Sequence, residues 1–484
     1  MVFTSTTFVF LFLPLALLAF YVFPARWRAI PLLATSAVFY AWGEPVLVVL
    51  VAATAVVTYA WGKWLARAHN ARRWILAVGI VVVLIPLIYL KYSTFIAGVF
   101  GFDEWAESTN LVLPIGVSFY TFMAIGYLVD IYRSAADRAP RLLDFAAYLM
   151  MFPHLVAGPI VRWTHVGDQL RAPRFRPGMF GFGAVLVATG LVKKAVLADS
   201  LAPLVDGMFA TGEPASIGGA WLAAVMYSLQ IYLDFSAYSD IAIGLAAMLG
   251  VHFHENFRFP YRSRSAREFW QRWHISLGSW FRDYVYFPLG GSRARPVVVW
   301  RNLLIVWALT GLWHGAAWTF VLWGLYFGAL IGLERFVWGR ALERAWRPLQ
   351  HLYGILVAVF GWVLFRAVDV AQAGDYYRTM LGAAGVPAWD AAADLAWQRG
   401  WTLVLVCAVL AAGIADPLMS RLRRSSMPPA DPAQGGHVDT SAEPVERMTV
   451  VSSITMTVIV VTCLVLATAF MVSVAYAPFI YFRF

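Results

Sequence analysis

The sequence predicts an all-α polytopic integral membrane protein, and three observations carry that prediction. The 484 residues are 61% hydrophobic and only 13% charged, against roughly 45–50% and about 25% in soluble domains. Mean hydropathy is +0.68, so there are too few polar side chains to clothe a water-soluble surface. Apolar runs recur at roughly the 20 residues that a helix needs to cross a bilayer. A soluble enzyme, a nucleic-acid module and a disordered scaffold are excluded on these grounds. The net charge of +10 then marks cytoplasmic loops and contacts with anionic membrane lipids rather than nucleic acid. Cys407 and Cys463 lie inside apolar runs and form neither a ligand spacing nor a disulfide framework.

The first apolar run, Phe8 to Phe23, has no basic segment before it and is followed by Arg26 and Arg28. It reads as a retained helix rather than a cleaved signal, with its C-terminal end in the cytoplasm. Two further runs, from about Pro31 to Gly62, end in the basic cluster Lys63, Arg67, Arg72 and Arg73. Trp74 to Tyr89 leads to a loop with Asp103, Glu104 and Glu107 and no Lys or Arg, which fits the outside. About a dozen spans are expected, in a single membrane-embedded domain over residues 1–484 without internal repeats.

Two stretches do not fit simple spans. Arg267 to Gly291 is aromatic and apolar, yet it holds Arg272, His274, Arg282 and Asp283 and has basic residues on both flanks. Flanks of one sign mean that the segment has not crossed. It is expected to lie along or re-enter the membrane, with Trp270, Trp273 and Trp280 at interfacial depth. The second stretch, Asn302 to Glu334 between Arg301 and Arg335, is too long for one crossing of about 20 residues and too short for two. That predicts a short hairpin bent near Thr310-Gly-Leu-Trp-His-Gly315. Irregular backbone at that depth is tolerated only against protein or a wet cavity. Further on, the composition of residues 421–447 is that of a flexible cytoplasmic linker. Thr449 to Ser473 then crosses outward, and residues 476–484 form an outward-facing tail.

His314 lies about 18 Å along a helix from Arg301, near mid-membrane, where burying an ionisable side chain is costly enough to point to function. The competing reading is a neutral histidine bonded to a carbonyl of another helix. Gly311 and Gly315 beside it permit close approach of a substrate or of another helix. His274, in Phe269-Trp-Gln-Arg-Trp-His-Ile-Ser-Leu277, is either its partner in chemistry or an interfacial side chain. His252 and His254 have a spacing that could hold a metal but lack a third ligand, so no metal is expected. His154 reads as structural, and His69, His165, His351 and His437 as loop or interface residues. Neither a phosphate-cradling Walker A loop nor a Gly-x-Ser-x-Gly elbow is present. Histidine in a thinned, aromatic membrane core points to general acid–base work, hence to acyl transfer onto a hydroxyl. A transporter would instead show paired repeats and charged mid-membrane residues, and neither is evident.

Several stretches resemble the bacterial membrane-bound O-acyltransferases, and within them the alginate O-acetyltransferase group. They are Glu268 to Gly291, Gly311-Leu-Trp-His-Gly-Ala316, Leu113 to Phe122, Phe152-Pro-His-Leu-Val-Ala-Gly-Pro159, Leu233-Asp-Phe-Ser-Ala-Tyr-Ser-Asp240 and the terminal Phe479-Ile-Tyr-Phe-Arg-Phe484. The resemblance implies a ring of transmembrane helices around a thinned centre with re-entrant helices. It also implies transfer of acetyl from a cytoplasmic thioester, acetyl-CoA, for O-acetylation of an envelope or secreted polysaccharide. Alginate is the first expectation; peptidoglycan, cellulose and teichoic-acid acylation are the alternatives. A bacterial inner-membrane location, no bound cofactor and a partner protein outside the membrane follow from the same likeness.

The family's essential histidine falls on His314 and its second motif histidine on His274. Trp273 and Trp313 beside them, and Arg483 in the tail, are the expected substrate contacts. Tyr481 has two readings. One is an aromatic anchor at the headgroups. The other is an acyl carrier that takes acetyl before an outer partner does, as similar tails in polymer-acylating systems imply. A phenol of pKa about 10 needs a base such as His314 to attack a thioester.

Overall fold

A chain with so little polar surface must satisfy its backbone internally, and helices do so within one segment. The computed structural model describes residues 1–102, 111, 113–134, 141–156, 158–171, 173–210, 212–426 and 450–473, and every regular element among them is helical. In chain order the main helices begin with α1 (Phe8–Val22), α2 (Ala29–Ala41), α3 (Val48–Arg67), α4 (Arg72–Val99), α5 (Val117–Tyr132), α6 (Leu142–Met150), α7 (Trp163–Arg171), α8 (Pro177–Phe209) and α9 (Ile217–Met248). The second half contains α10 (Ala266–Arg272), α11 (Ile275–Phe281), α12 (Pro296–His314), α13 (Trp318–Arg344), α14 (Arg347–Arg366), α15 (Val370–Met380), α16 (Ala391–Ala411), α17 (Asp416–Ser426) and α18 (Val450–Ser473).

Among the described residues, 7 helices are long and apolar enough to cross a membrane, or 8 if the bent pair α16–α17 is one span. Shorter apolar helices such as α1, α2 and α5 accompany them, matching the runs among the expected dozen that are too short to cross simply. The bend between Asn302 and Glu334 is present, but the hairpin is not short. α12 begins before Arg301 and α13 runs past Arg335, so both arms reach membrane length. Arginine tolerates such positions because its stem packs along apolar surface while its head reaches polar surroundings. Arg267 to Gly291 forms α10 and α11, neither of which is long enough to cross. Trp270, Trp273 and Trp280 are buried against other side chains of the protein. The basic cluster from Arg421 to Arg424 belongs to α17, so the expected linker starts in a helix; its residues 427–447 lie outside the described residues.

The helices group into two compact units. The first comprises the described residues of Met1–Val192, Tyr238–Glu255 and 417–473. On α18, Val451, Ile454, Val458, Val461 and Val465 are exposed at helical spacing, while Met456 and Ala467 are buried. A face like that requires an apolar solvent, and lipid supplies it. Met456 packs with Met179, Phe182, Val185, Ala247 and Leu422. In lipid such contacts stabilise by close packing rather than by removal from water. Leu422, Ser425 and Ser426 bury one side of α17, and Arg423 pairs with Glu255.

The second unit comprises Lys193–Ala237 and Asn256–Asp416 and is built around the α12–α13 hairpin. A Cβ on Gly311 would stand 2.1 Å from the carbonyl oxygen of Phe320, and one on Gly324 would stand 2.1 Å from that of Trp307. The two arms therefore meet backbone to backbone, which only glycine allows. A Cβ on Gly315 would strike the Phe320 ring at 2.1 Å. Of the two approaches expected at these glycines, the structure uses them for the neighbouring helix.

Candidate functional site

The segment carrying His274 is held by caps at both breaks in its backbone. At the start of α10, Ser265 Oγ accepts from the Glu268 backbone N–H at 3.0 Å. Glu334, at the far end of the hairpin sequence, accepts the N–H groups of Ala266 at 2.6 Å and Arg267 at 3.0 Å. Helix N-termini leave such donors orphaned, and a carboxylate there also complements the helix dipole. α10 stops at Arg272, whose guanidinium pairs with Glu268 at 2.9 Å. His274 then adopts φ +43°, ψ +54°, a left-handed conformation that costs a non-glycine residue of order 1–3 kcal/mol.

Asn256 holds that turn in place. Its backbone oxygen accepts from Ile275 N–H at 2.9 Å. Its side-chain oxygen accepts from Ser276 N–H at 3.1 Å and from the Ser276 hydroxyl at 2.9 Å, and lies 3.1 Å from His274 Nδ1. A backbone N–H can only donate, so the Asn256 atom facing it is the oxygen. That oxygen can only accept, so His274 Nδ1 carries the hydrogen and Nε2 keeps its lone pair. Asn256 is 1% exposed and His274 0%. The arrangement presets one tautomer of a buried imidazole, with a basic nitrogen at its free edge.

His314 ends α12, at the hairpin bend. Its ring packs edge-on against Trp313 and Trp323, both at 4.8 Å between centroids, and against Phe365 at 5.1 Å. The His274 ring lies 5.7 Å from the same Trp313. The two histidines foreseen from sequence are thus brought to one tryptophan, as a hairpin returning over α10 and α11 allows. Trp273 is 0% exposed and enclosed by Trp362 at 4.6 Å, Phe257 at 5.0 Å and Phe269 at 5.6 Å. It props the segment and presents no open surface. Tyr481 and Arg483 lie outside the described residues.

The first unit carries other histidines. His154 is buried between the rings of Tyr148 and Phe253. His252, His254 and His165 gather their rings, with His254 4.8 Å from His165 and 5.5 Å from His252. Burial lowers the His252 pKa to about 3, so that ring stays neutral at physiological pH. No group of three metal-ligating side chains occurs among the described residues.

Sequence reasoning missed Asn256 and Glu334, the two residues that orient the His274 segment. It gave no role to Lys194 and Asp199, and Asp234 entered only within the family-like stretch Leu233 to Asp240; all three are buried within α8 and α9, against the reading that charged mid-membrane residues are not evident. The available signals were a lysine and two aspartates interrupting apolar runs, and the family-like stretch around Asp234.

A sequence model of the membrane-bound O-acyltransferase family matches residues 130–367, which include both histidines. The chain is 39% identical to the probable alginate O-acetylase AlgI of Azotobacter vinelandii, covering 100% of each. It is 40% identical to the probable alginate O-acetylase AlgI of Pseudomonas aeruginosa, over 85% of this chain and 81% of that one. It is 30% identical to the peptidoglycan O-acetyltransferase of Helicobacter pylori, over 80% of this chain and 81% of that protein.

Proposed function

We propose, from the premise that this chain belongs to the membrane-bound O-acyltransferase family, that it passes acetyl from cytoplasmic acetyl-CoA outward for O-acetylation of a secreted polysaccharide, alginate. The chain is a multi-pass acyltransferase of the bacterial inner membrane. Full-length similarity to an alginate O-acetylase supports the choice of polymer. The observation that carries the chemistry is the meeting of His274 and His314 on Trp313.

In this reading His314 is the general base. Its ring nitrogen takes the proton of an acceptor hydroxyl as that oxygen attacks the thioester carbonyl. The tetrahedral intermediate collapses, the C–S bond breaks, and the thiolate leaves with the proton that His314 held. A thioester and a hydroxyl become an ester and a thiol, and the histidine is restored. His274, with Nδ1–H fixed on Asn256, offers Nε2 to orient the hydroxyl. Trp313 contacts the substrate between the two rings, with Trp273 behind. The aromatic surround keeps water from the thioester, which would otherwise be hydrolysed. Tyr481 is the first acceptor, Arg483 stabilises its phenolate, and a partner protein outside the membrane moves acetyl on to the polymer.

The test is ester-linked acetate on surface polysaccharide from a deletion strain complemented with His314→Ala. Acetylation is expected to fall by on the order of 10²–10⁴ while the protein accumulates normally; acetate at the wild-type level would refute the assignment. Similarity to a peptidoglycan O-acetyltransferase favours a second reading, acetylation of peptidoglycan. A deletion strain that loses acetate from peptidoglycan and keeps it on exopolysaccharide would select that one.

A further inference from the structure

The long helices of the second unit hide three charges that this chemistry does not use. Lys194, Asp199 and Asp234 are 1%, 6% and 2% exposed. Lys194 Nζ lies 2.5 Å from Asp199 Oδ1 and 3.0 Å from Asp234 Oδ1. The first contact is local, since Lys194 and Asp199 both belong to α8. The second ties α8 to α9.

Taking such charges out of water is costly, and well-packed apolar side chains would serve stability as well. The best-attested use of a buried ionic contact is to fix register. Two features point to register here. Lys194 sits in the wide π-helical turn Lys193–Ala198, a distortion that recurs at functional sites. The residue after Asp234 is Phe235, whose ring meets His274 edge-on at 4.7 Å and 89° and Phe257 at 4.9 Å. Slipping α9 by one residue turns it by about 100° and shifts it by about 1.5 Å. Asp234 would then leave Lys194, and Phe235 would leave His274.

We propose that the Lys194–Asp234 bridge is a positioning element for His274. It sets the rotation of α9, α9 sets Phe235, and Phe235 holds the plane of an imidazole whose Nδ1 is pinned by Asn256. The proposal rests on the reading of His274 and His314 as the acyl-transfer site.

Asp234→Asn and Asp199→Asn test it, because each removes one carboxylate by the same chemistry and leaves Lys194 with the other. Only the first cuts the link between helices. The readout is acetyl transfer by the full-length protein in membranes at varied acetyl-CoA, normalised to protein amount. D234N is expected to lower kcat by on the order of 10- to 100-fold with KM unchanged, and D199N to keep kcat near wild type. Equal effects of the two variants, or full kcat in D234N, overturn the proposal. Should D234N fail to accumulate, Phe235→Leu decides: the same loss of kcat at constant KM supports the chain of contacts, and full kcat overturns it. His314→Ala in the same assay separates the two claims. Activity in that variant sinks the site assignment, whereas an inactive H314A beside a normal D234N sinks the positioning role alone.

Discussion

Replacing Asn256 with alanine strips the His274 turn of its side-chain acceptor. The amide oxygen takes the Ser276 N–H, the Ser276 hydroxyl and His274 Nδ1–H, all within 2.9–3.1 Å. The hydroxyl can rotate elsewhere and the Ser276 N–H is only partly buried, whereas His274 Nδ1–H is fixed in a buried site. An unsatisfied buried donor costs roughly 1–3 kcal/mol, so the local loss is about that much. The left-handed φ of His274 adds to the pressure to relax, since strain of order 1–3 kcal/mol persists only while its surroundings enforce it. The imidazole is then free to turn and to change tautomer, and misplacement by about 1 Å can cost on the order of 10²-fold in rate. We expect Asn256→Ala to lower acetyl transfer by about that factor and to reduce the unfolding temperature in detergent, while Asn256→Asp, which keeps an acceptor oxygen in place, retains more of both. Polymer acetate and a thermal unfolding curve on purified protein are the two measurements. Wild-type activity with an unchanged unfolding temperature in N256A would refute the role assigned to this side chain.

Gly311→Ala places a methyl group 2.1 Å from the Phe320 carbonyl oxygen, and helix backbone cannot step aside as a side chain can. Overpacking of this kind costs typically 1–3 kcal/mol or more, so reduced accumulation and a lower unfolding temperature are expected; Gly374→Ala, with nothing within 4 Å of the added carbon, should be neutral, and equal behaviour of the two would contradict the hairpin packing. Tyr481→Phe keeps the ring and removes the hydroxyl, so an acyl carrier predicts loss of polymer acetate at normal protein levels. Full acetylation in that variant leaves the tail as an anchor only.

The helical membrane class was legible because it depends on composition and run length, which folding does not alter. His314 at a bend and His274 in an aromatic segment were legible for a related reason. A histidine and its glycines stand out against an apolar run whatever the run packs against. The same one-dimensional counting failed where it treated charges as span ends. Arg301 and Arg335 lie inside α12 and α13.

What only the tertiary structure decided is which side chains serve the histidines. Asn256 reaches His274 across 18 residues of sequence, and Glu334 caps α10 across 68. An asparagine in a loop and a glutamate at the end of an apolar run have no local signature of those roles. Lys194 and Asp234 read as blemishes in two hydrophobic stretches until the helices carrying them lie side by side. The physical reason is that composition and run length are summed along the chain, whereas a hydrogen bond or an ion pair acts over about 3 Å and exists only once folding has brought two distant stretches within that distance.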